Sequence, residues 1–218
     1  MLFTGEYYFL SNMYGSYPNQ NSSILMSQND MLTLSDSHLH ELITSIEFTN
    51  GFTFSTAEQA FQAFRCKNSD DFLKILKCKN GYDAKKIGKN AKVRDKWSLY
   101  RDEVMETILR LKFEQHPDLR EKLINIEETI HFDSPWMDPY WGRDANTKKG
   151  RDMLGLMLRN ERSKYLNEKI AVIENNKEFK PKNFYKPTVT KFLDTVKDNY
   201  FFVLDTETTG FSPVKNDI

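Results

Sequence analysis

Apolar positions recur at helical spacing through most of this chain. Ala57, Ala60, Phe61 and Phe64 fall on one face of a 3.6-residue repeat, with Ser55 or Thr56 as N-cap and Glu58 in the first turn. Glu58, Gln62 and Arg65 form the adjoining polar stripe at i, i+4, i+7. The same spacing predicts helices over 70–78 and 82–89, the second ended or bent at Gly88. The longest predicted helix runs over 96–114, where Val104, Ile108 and Leu111 make one apolar row beside Met105, Leu109 and Phe113. Pro117 suits the first turn of a helix reaching about Ile124. Residues 150–176 are helical again, with Met153, Leu154, Met157 and Leu158 inward.

Strand signals are fewer. Residues 46–54 alternate apolar and polar around Asn50-Gly51, which predicts a hairpin. Residues 15–38 are rich in Ser, Asn, Gln and Asp and read as a loop with short structured pieces. Residues 131–150 are interrupted by Pro135, Pro139, Gly142 and Gly150 and read as a long structured loop, which in a compact chain usually carries function. After residue 176 the composition shifts. Residues 177–198 read as a linker, and Tyr200–Asp205 as a short strand of the buried type.

Composition narrows the function classes. The chain has 218 residues, 39% hydrophobic and 28% charged, enough for one core-forming domain plus a fragment of another. Lys plus Arg equals Asp plus Glu at 31 each, whereas a protein that coats duplex non-specifically is normally basic. Cys66 and Cys78 are too few for a disulfide framework or a zinc knuckle and suit a reducing compartment. No apolar run is long enough to span a membrane, and Met1–Glu6 lacks the features of a signal peptide. A cytoplasmic protein with no membrane partner is expected.

Three places can carry chemistry. Glu58 either complements the dipole of its helix or aims a carboxylate at a cleft beside Gln62 and Arg65. Asp138-Pro139-Tyr140-Trp141-Gly142 is either an Asp-Pro turn capping the core or a pocket in which an aromatic face stacks and a carboxylate reads polar groups. Lys148-Lys149-Gly150-Arg151-Asp152 is either a solvated helix start or a phosphate cradle of amides and basic side chains. His38, His40, His116 and His131 show no metal-ligand spacing, so neither a metal nor another cofactor is expected.

Read together, these segments resemble the YbiA-like, or NADAR, family. The resemblance runs through Phe9-Leu10-Ser11-Asn12, Phe54–Ala63, Ala84–Lys89, Trp97 with Val104-Met105, and Leu111–His116. It continues through Asp138–Gly142 and Gly150–Leu158, all in the family's order over about residues 5–166. Three positions depart from the family's usual pattern. Gln59 stands for a histidine, Arg65 for a lysine, and Asp152 for an asparagine.

The resemblance implies a mostly α (α+β) fold, compact and multihelical with a few short strands, over residues 1–176. It implies N-glycosidase activity, most specifically removal of ADP-ribose from guanine in DNA. The alternatives are hydrolysis of phosphorylated riboflavin-pathway intermediates, or a non-catalytic module binding ADP-ribose or a nucleotide. Cleaving an N-ribosyl bond builds positive charge on the sugar. Glu58 then takes the carboxylate role and Asp138 helps the base leave. Trp141 with Tyr8 or Phe9 stacks, and Asn12 and Gln62 hydrogen-bond the sugar or base. Arg65 and Lys149 meet phosphate, and Gly142 and Asp152 complete the substrate site.

Phe202–Gly210 resembles the first motif of DnaQ-like exonucleases, so residues 199–218 are expected to be the truncated start of such a domain. Its Asp205 and Glu207 need further carboxylates to hold metal, so nuclease activity is not expected of this chain. A fused or neighbouring exonuclease is the expected partner, alongside an ADP-ribosylated DNA or nucleotide substrate.

Overall fold

Eight consecutive residues, Ala57–Phe64, are all buried, so this helix is the centre of the fold rather than a surface helix. We describe residues 1–34, 40–41, 51–135 and 138–175 from a computed structural model. The chain opens with a 3-10 helix, Gly5–Leu10, then β1 (Ile24–Met26), α1 (Gln28–Leu32) and β2 (Phe52–Phe54). The central helix is α2 (Ala57–Phe64), followed by α3 (Ser69–Leu76) and α4 (Gly81–Asn90). Next come α5 (Trp97–Gln115), α6 (Pro117–Ile124), the two-residue strands β3 (Asp133–Ser134) and β4 (Arg143–Asp144), and α7 (Met153–Asn175). The helices with few, short strands give the expected mostly α architecture.

Local chemistry sets the helix starts. Thr56 caps α2 by accepting from Gln59 N, Asn68 caps α3 by accepting from Asp71 N, and Asn80 caps α4 by accepting from Asp83 N. Around α2 lie α3, α4 and α5. Phe52, Phe54, Phe64 and Phe72 form one aromatic cluster, with neighbouring centroids 4.9–5.6 Å apart for the closest pairs. Helix α4 meets α2 through its small residues Gly81, Ala84 and Gly88, all buried. Gly88 does not end the helix, which continues to Asn90. A Cβ there would come within 2.9 Å of the Gln62 carboxamide carbon, so only glycine lets that side chain lie flat against α4.

β2 pairs antiparallel with β1, matching Ile24 to Phe54 and Met26 to Phe52. The described partner of this strand therefore comes from the polar 15–38 segment. The first arm of the hairpin predicted around Asn50-Gly51 lies outside the described residues. The outer edge of β1 is closed by a side chain: Leu25 N donates to Gln115 Oε1 at 2.8 Å, and Gln115 Nε2 donates to Leu25 O at 2.7 Å.

Helix α5 buries a lysine. Lys112 has no exposed surface, and its Nζ donates to Phe9 O at 2.7 Å and Ser11 O at 2.9 Å. Met1–Val172 forms one compact unit. Beyond it only the end of α7 is described, so the linker and the Phe202–Gly210 motif lie outside the described residues. Among the described residues no helix is long and apolar enough to cross a membrane.

Candidate active site

A buried helix must satisfy its polar side chains within the protein. Helix α2 carries three, Glu58, Gln59 and Gln62, and they are satisfied in different ways. Gln59 is a scaffold clamp. Its Oε1 accepts from Ser55 N and Oγ at 2.5 and 2.8 Å. Its Nε2 faces the carbonyls of Ile75, Leu76 and Cys78 at 2.8–3.0 Å, tying the end of α3 to α2. Gln59, where the resemblance led a histidine to be expected, thus does not line the cavity.

Gln62 and Glu58 form a chain toward that cavity. Gln62 Nε2 donates to Glu58 Oε1 at 2.9 Å, and Arg65 donates to Gln62 Oε1 at 2.9 Å. Among the described residues Glu58 Oε2 makes no hydrogen bond. Burial pushes the Glu58 carboxyl above its ordinary range, against the opposing pull of Lys85, the Gln62 hydrogen bond and Arg65. The backbone of Glu58 is tied to the opposite segment, since Glu58 N donates to Asn12 O at 2.9 Å.

The cavity in front of Glu58 has a volume of about 750 Å³. Tyr8, Ser11, Asn12 and Met13 form one wall, and Lys85 and Tyr82 of α4 another. Helix α5 contributes Trp97, Arg101 and Met105, one stripe at i, i+4, i+8. Phe3 and Phe132, stacked at 4.7 Å, join Ser134, Pro135, Asp138 and Trp141 to close the far side. Phe61 stands between the two tryptophans, 5.2 Å from Trp97 and edge-on to Trp141 at 5.4 Å.

Seven of the residues singled out from sequence meet here: Glu58, Asp138, Tyr8, Asn12, Gln62, Arg65 and Trp141. Asn12 Nδ2 touches Met105 Sδ at 3.6 Å, and its buried Oδ1 has no hydrogen-bond partner among the described residues. Asp138 makes the turn and lines the cavity at once. Its Oδ1 accepts from Tyr140 N at 2.9 Å and Trp141 N at 3.0 Å, which fixes the turn that carries Trp141.

The other four lie elsewhere. Phe9 is 5% exposed and packs in the core, one step round the 3-10 turn from cavity-lining Tyr8. Gly142 supports the wall from behind, where a Cβ would meet Phe132 O and Ser134 Cβ at 2.8 Å. Lys149 is exposed and does not line the cavity. Asp152 is buried; its carboxylate engages His131 Nδ1 at 2.7 Å and Arg159 at 2.9 Å, and accepts from Phe132 N at 2.8 Å. It anchors the Phe132 segment of the wall.

The amides at the start of α7 are already engaged, which bears on the phosphate cradle considered there. The amides of Arg151, Asp152, Met153 and Leu154 donate to the carbonyls of Pro139, Gly142, Tyr140 and Trp141 at 2.8–3.1 Å. Those donors hold the Asp138–Gly142 turn and are not available to a ligand.

Sequence spacing missed Arg101, Phe3, Phe132 and Met105, because each reaches the cavity from a distant part of the chain. Among the described residues no group of three or more His, Cys, Asp or Glu side chains is placed to hold a metal.

Residues 2–166 match the family model described as the NADAR domain. The N-glycosidase YbiA of Shigella boydii is 31% identical over 122 residues, which is 55% of this chain and 76% of the relative. The N-glycosidase YbiA of Escherichia coli is 30% identical over 122 residues, with the same coverage. The NMR structure of the Escherichia coli YbiA protein superposes with a TM-score of 0.53 at 25% identity, covering 78% of this chain and 86% of that one.

Proposed function

The chain belongs to the NADAR domain family, and on that premise we propose that it is an N-glycosidase that hydrolyses an N-ribosyl bond, removing ADP-ribose from guanine in DNA. The observation that carries this reading is Glu58. It is a buried carboxylate on an aromatic-walled cavity, oriented by Gln62, on a backbone tied to Asn12. N-glycosidase activity is in keeping with the relatives that bear that name.

In the proposed reaction the bond from C1′ of the ribose to the base nitrogen breaks as positive charge develops on the sugar. Glu58 stabilises that charge and takes a proton from the attacking water, whose oxygen bonds to C1′. Asp138 assists protonation of the leaving nitrogen, so the products are the free hydroxyl of the sugar and the restored base. Trp141 and Tyr8 stack on the planar part of the substrate, and Asn12 Oδ1 accepts from one of its donors. A cavity of about 750 Å³ is of small-molecule size. A modified base in duplex must therefore leave the stack to be cleaved, which favours single-stranded DNA. The Phe202–Gly210 sequence, with its likeness to nucleic-acid enzymes, supports the same substrate.

One observation favours the second reading, a small phosphorylated riboflavin-type intermediate. Of Lys85, Lys86, Lys89, Lys92 and Arg94, only Lys85 lines the cavity. The deciding experiment offers the protein guanine-ADP-ribosylated single-stranded DNA and the phosphorylated metabolite in parallel, following the products by mass. Release of ADP-ribose supports the first reading; cleavage of the metabolite alone replaces it with the second.

A further inference from the structure

We propose that Arg101 is the phosphate-binding residue of this cavity, taking a phosphate ester of the ribosyl substrate on the edge of its guanidinium. The inference rests on the N-ribosyl reading above and adds to it the orientation of the substrate.

Three observations carry it. Arg101 lines the cavity between Trp97 and Met105 on one stripe of α5. Its guanidinium is pre-set: the carbon lies 3.3 Å from the centroid of the Tyr140 ring, and the Tyr140 hydroxyl is held at 2.5–2.6 Å by the Asp102 carboxylate. Its buried Nε makes no hydrogen bond among the described residues and is ion-paired with Asp102 Oδ1 at 3.8 Å. A guanidinium held by its flat face, with its Nε turned to Asp102, keeps its terminal nitrogens for a ligand, and that fixed fork is the geometry that binds phosphate in plane.

The other cavity cations are differently used. Arg65 bonds Gln62, and both Arg65 and Lys85 act on Glu58. A phosphate drawn to them would crowd the carboxylate that must face C1′. With the phosphate at Arg101, the anion and the developing cation of the sugar are kept at different parts of the cavity. Lys149 is exposed and off the lining, so it does not supply this contact.

The test is calorimetric titration of the full chain with ADP-ribose and with adenosine, with inorganic pyrophosphate as competitor. Wild type, Arg101→Met and Arg101→Lys are compared after circular dichroism shows each folded. Arg101→Met is expected to weaken ADP-ribose by about tenfold to a hundredfold, to abolish competition by pyrophosphate, and to leave adenosine unchanged. Arg101→Lys, with the charge but not the planar fork, is expected to recover part of the loss. Unchanged ADP-ribose affinity in Arg101→Met, equal loss of adenosine, or no pyrophosphate competition in wild type would overturn the assignment. Binding that depends on Arg101 without any bond cleavage would count against the proposed reaction and leave this subsite standing.

Discussion

Lys112 offers the sharpest test of how the cavity wall is held. Its side chain is fully buried, and its described hydrogen bonds go to two carbonyls. Burial lowers its ammonium from the ordinary lysine value of 10.5 to about 7. Each tenfold in proton affinity is worth about 1.4 kcal/mol, so holding this amine in the folded state costs about 4 to 5 kcal/mol at neutral pH. The sign follows from proton counts. Between about 7 and 10.5 the unfolded chain holds the proton and the folded chain has released it, so stability rises with pH across that window.

For the single group the rise from pH 7 to pH 9 is about 2 kcal/mol. Lys112→Met removes that slope. At pH 7 itself the variant changes little, because it relieves the neutralisation cost but leaves Phe9 O and Ser11 O without donors, at about 1 to 3 kcal/mol each. The readout is therefore the pH dependence. Urea unfolding at pH 7 and pH 9 is expected to give wild type about 2 kcal/mol more gain than Lys112→Met. Equal gains in both proteins would refute the reasoning. The same variant frees the segment that carries Tyr8, Ser11 and Asn12, so a raised KM is expected alongside.

Other substitutions separate scaffold from chemistry. Gln59→Ala removes the contacts joining Ser55, α2 and the end of α3, and is expected to cost about 2 to 4 kcal/mol in denaturant unfolding. A cost below half a kilocalorie would remove its clamp role. Gly88→Ala pushes a methyl into the Gln62 carboxamide, so kcat/KM is expected to fall about tenfold with the melting temperature nearly kept. A parallel loss of both would mark a packing defect instead.

Much of the central helix was legible. The spacing of Ala57, Ala60, Phe61 and Phe64 and the Thr56 cap fixed α2, and three members of its polar stripe, Glu58, Gln62 and Arg65, do line the cavity. Phe9 was misjudged because adjacent residues on a 3-10 turn point about 120° apart, so Tyr8 faces the cavity while Phe9 enters the core. The basic run at 148–152 left a phosphate cradle open beside a solvated helix start, because sequence does not reveal that the amides of Arg151 and Asp152 already meet the carbonyls of Pro139 and Gly142. Lys112 escaped notice because a lysine between Leu111 and Phe113 reads as a solvent-facing position, and only packing against the 3-10 helix buries it. Arg101 and Phe132 line one cavity from positions 31 apart in sequence, a distance over which periodicity carries no information.

The central claim is that Glu58 is the carboxylate of an N-glycosidase. The most direct measurement incubates wild type and Glu58→Gln with guanine-ADP-ribosylated single-stranded DNA and follows free ADP-ribose by mass. The expected result is release by wild type and none by a Glu58→Gln protein that is folded and still binds ADP-ribose. Full release by folded Glu58→Gln would contradict the assignment, and ADP-ribose binding by both without release would make the chain a binding module.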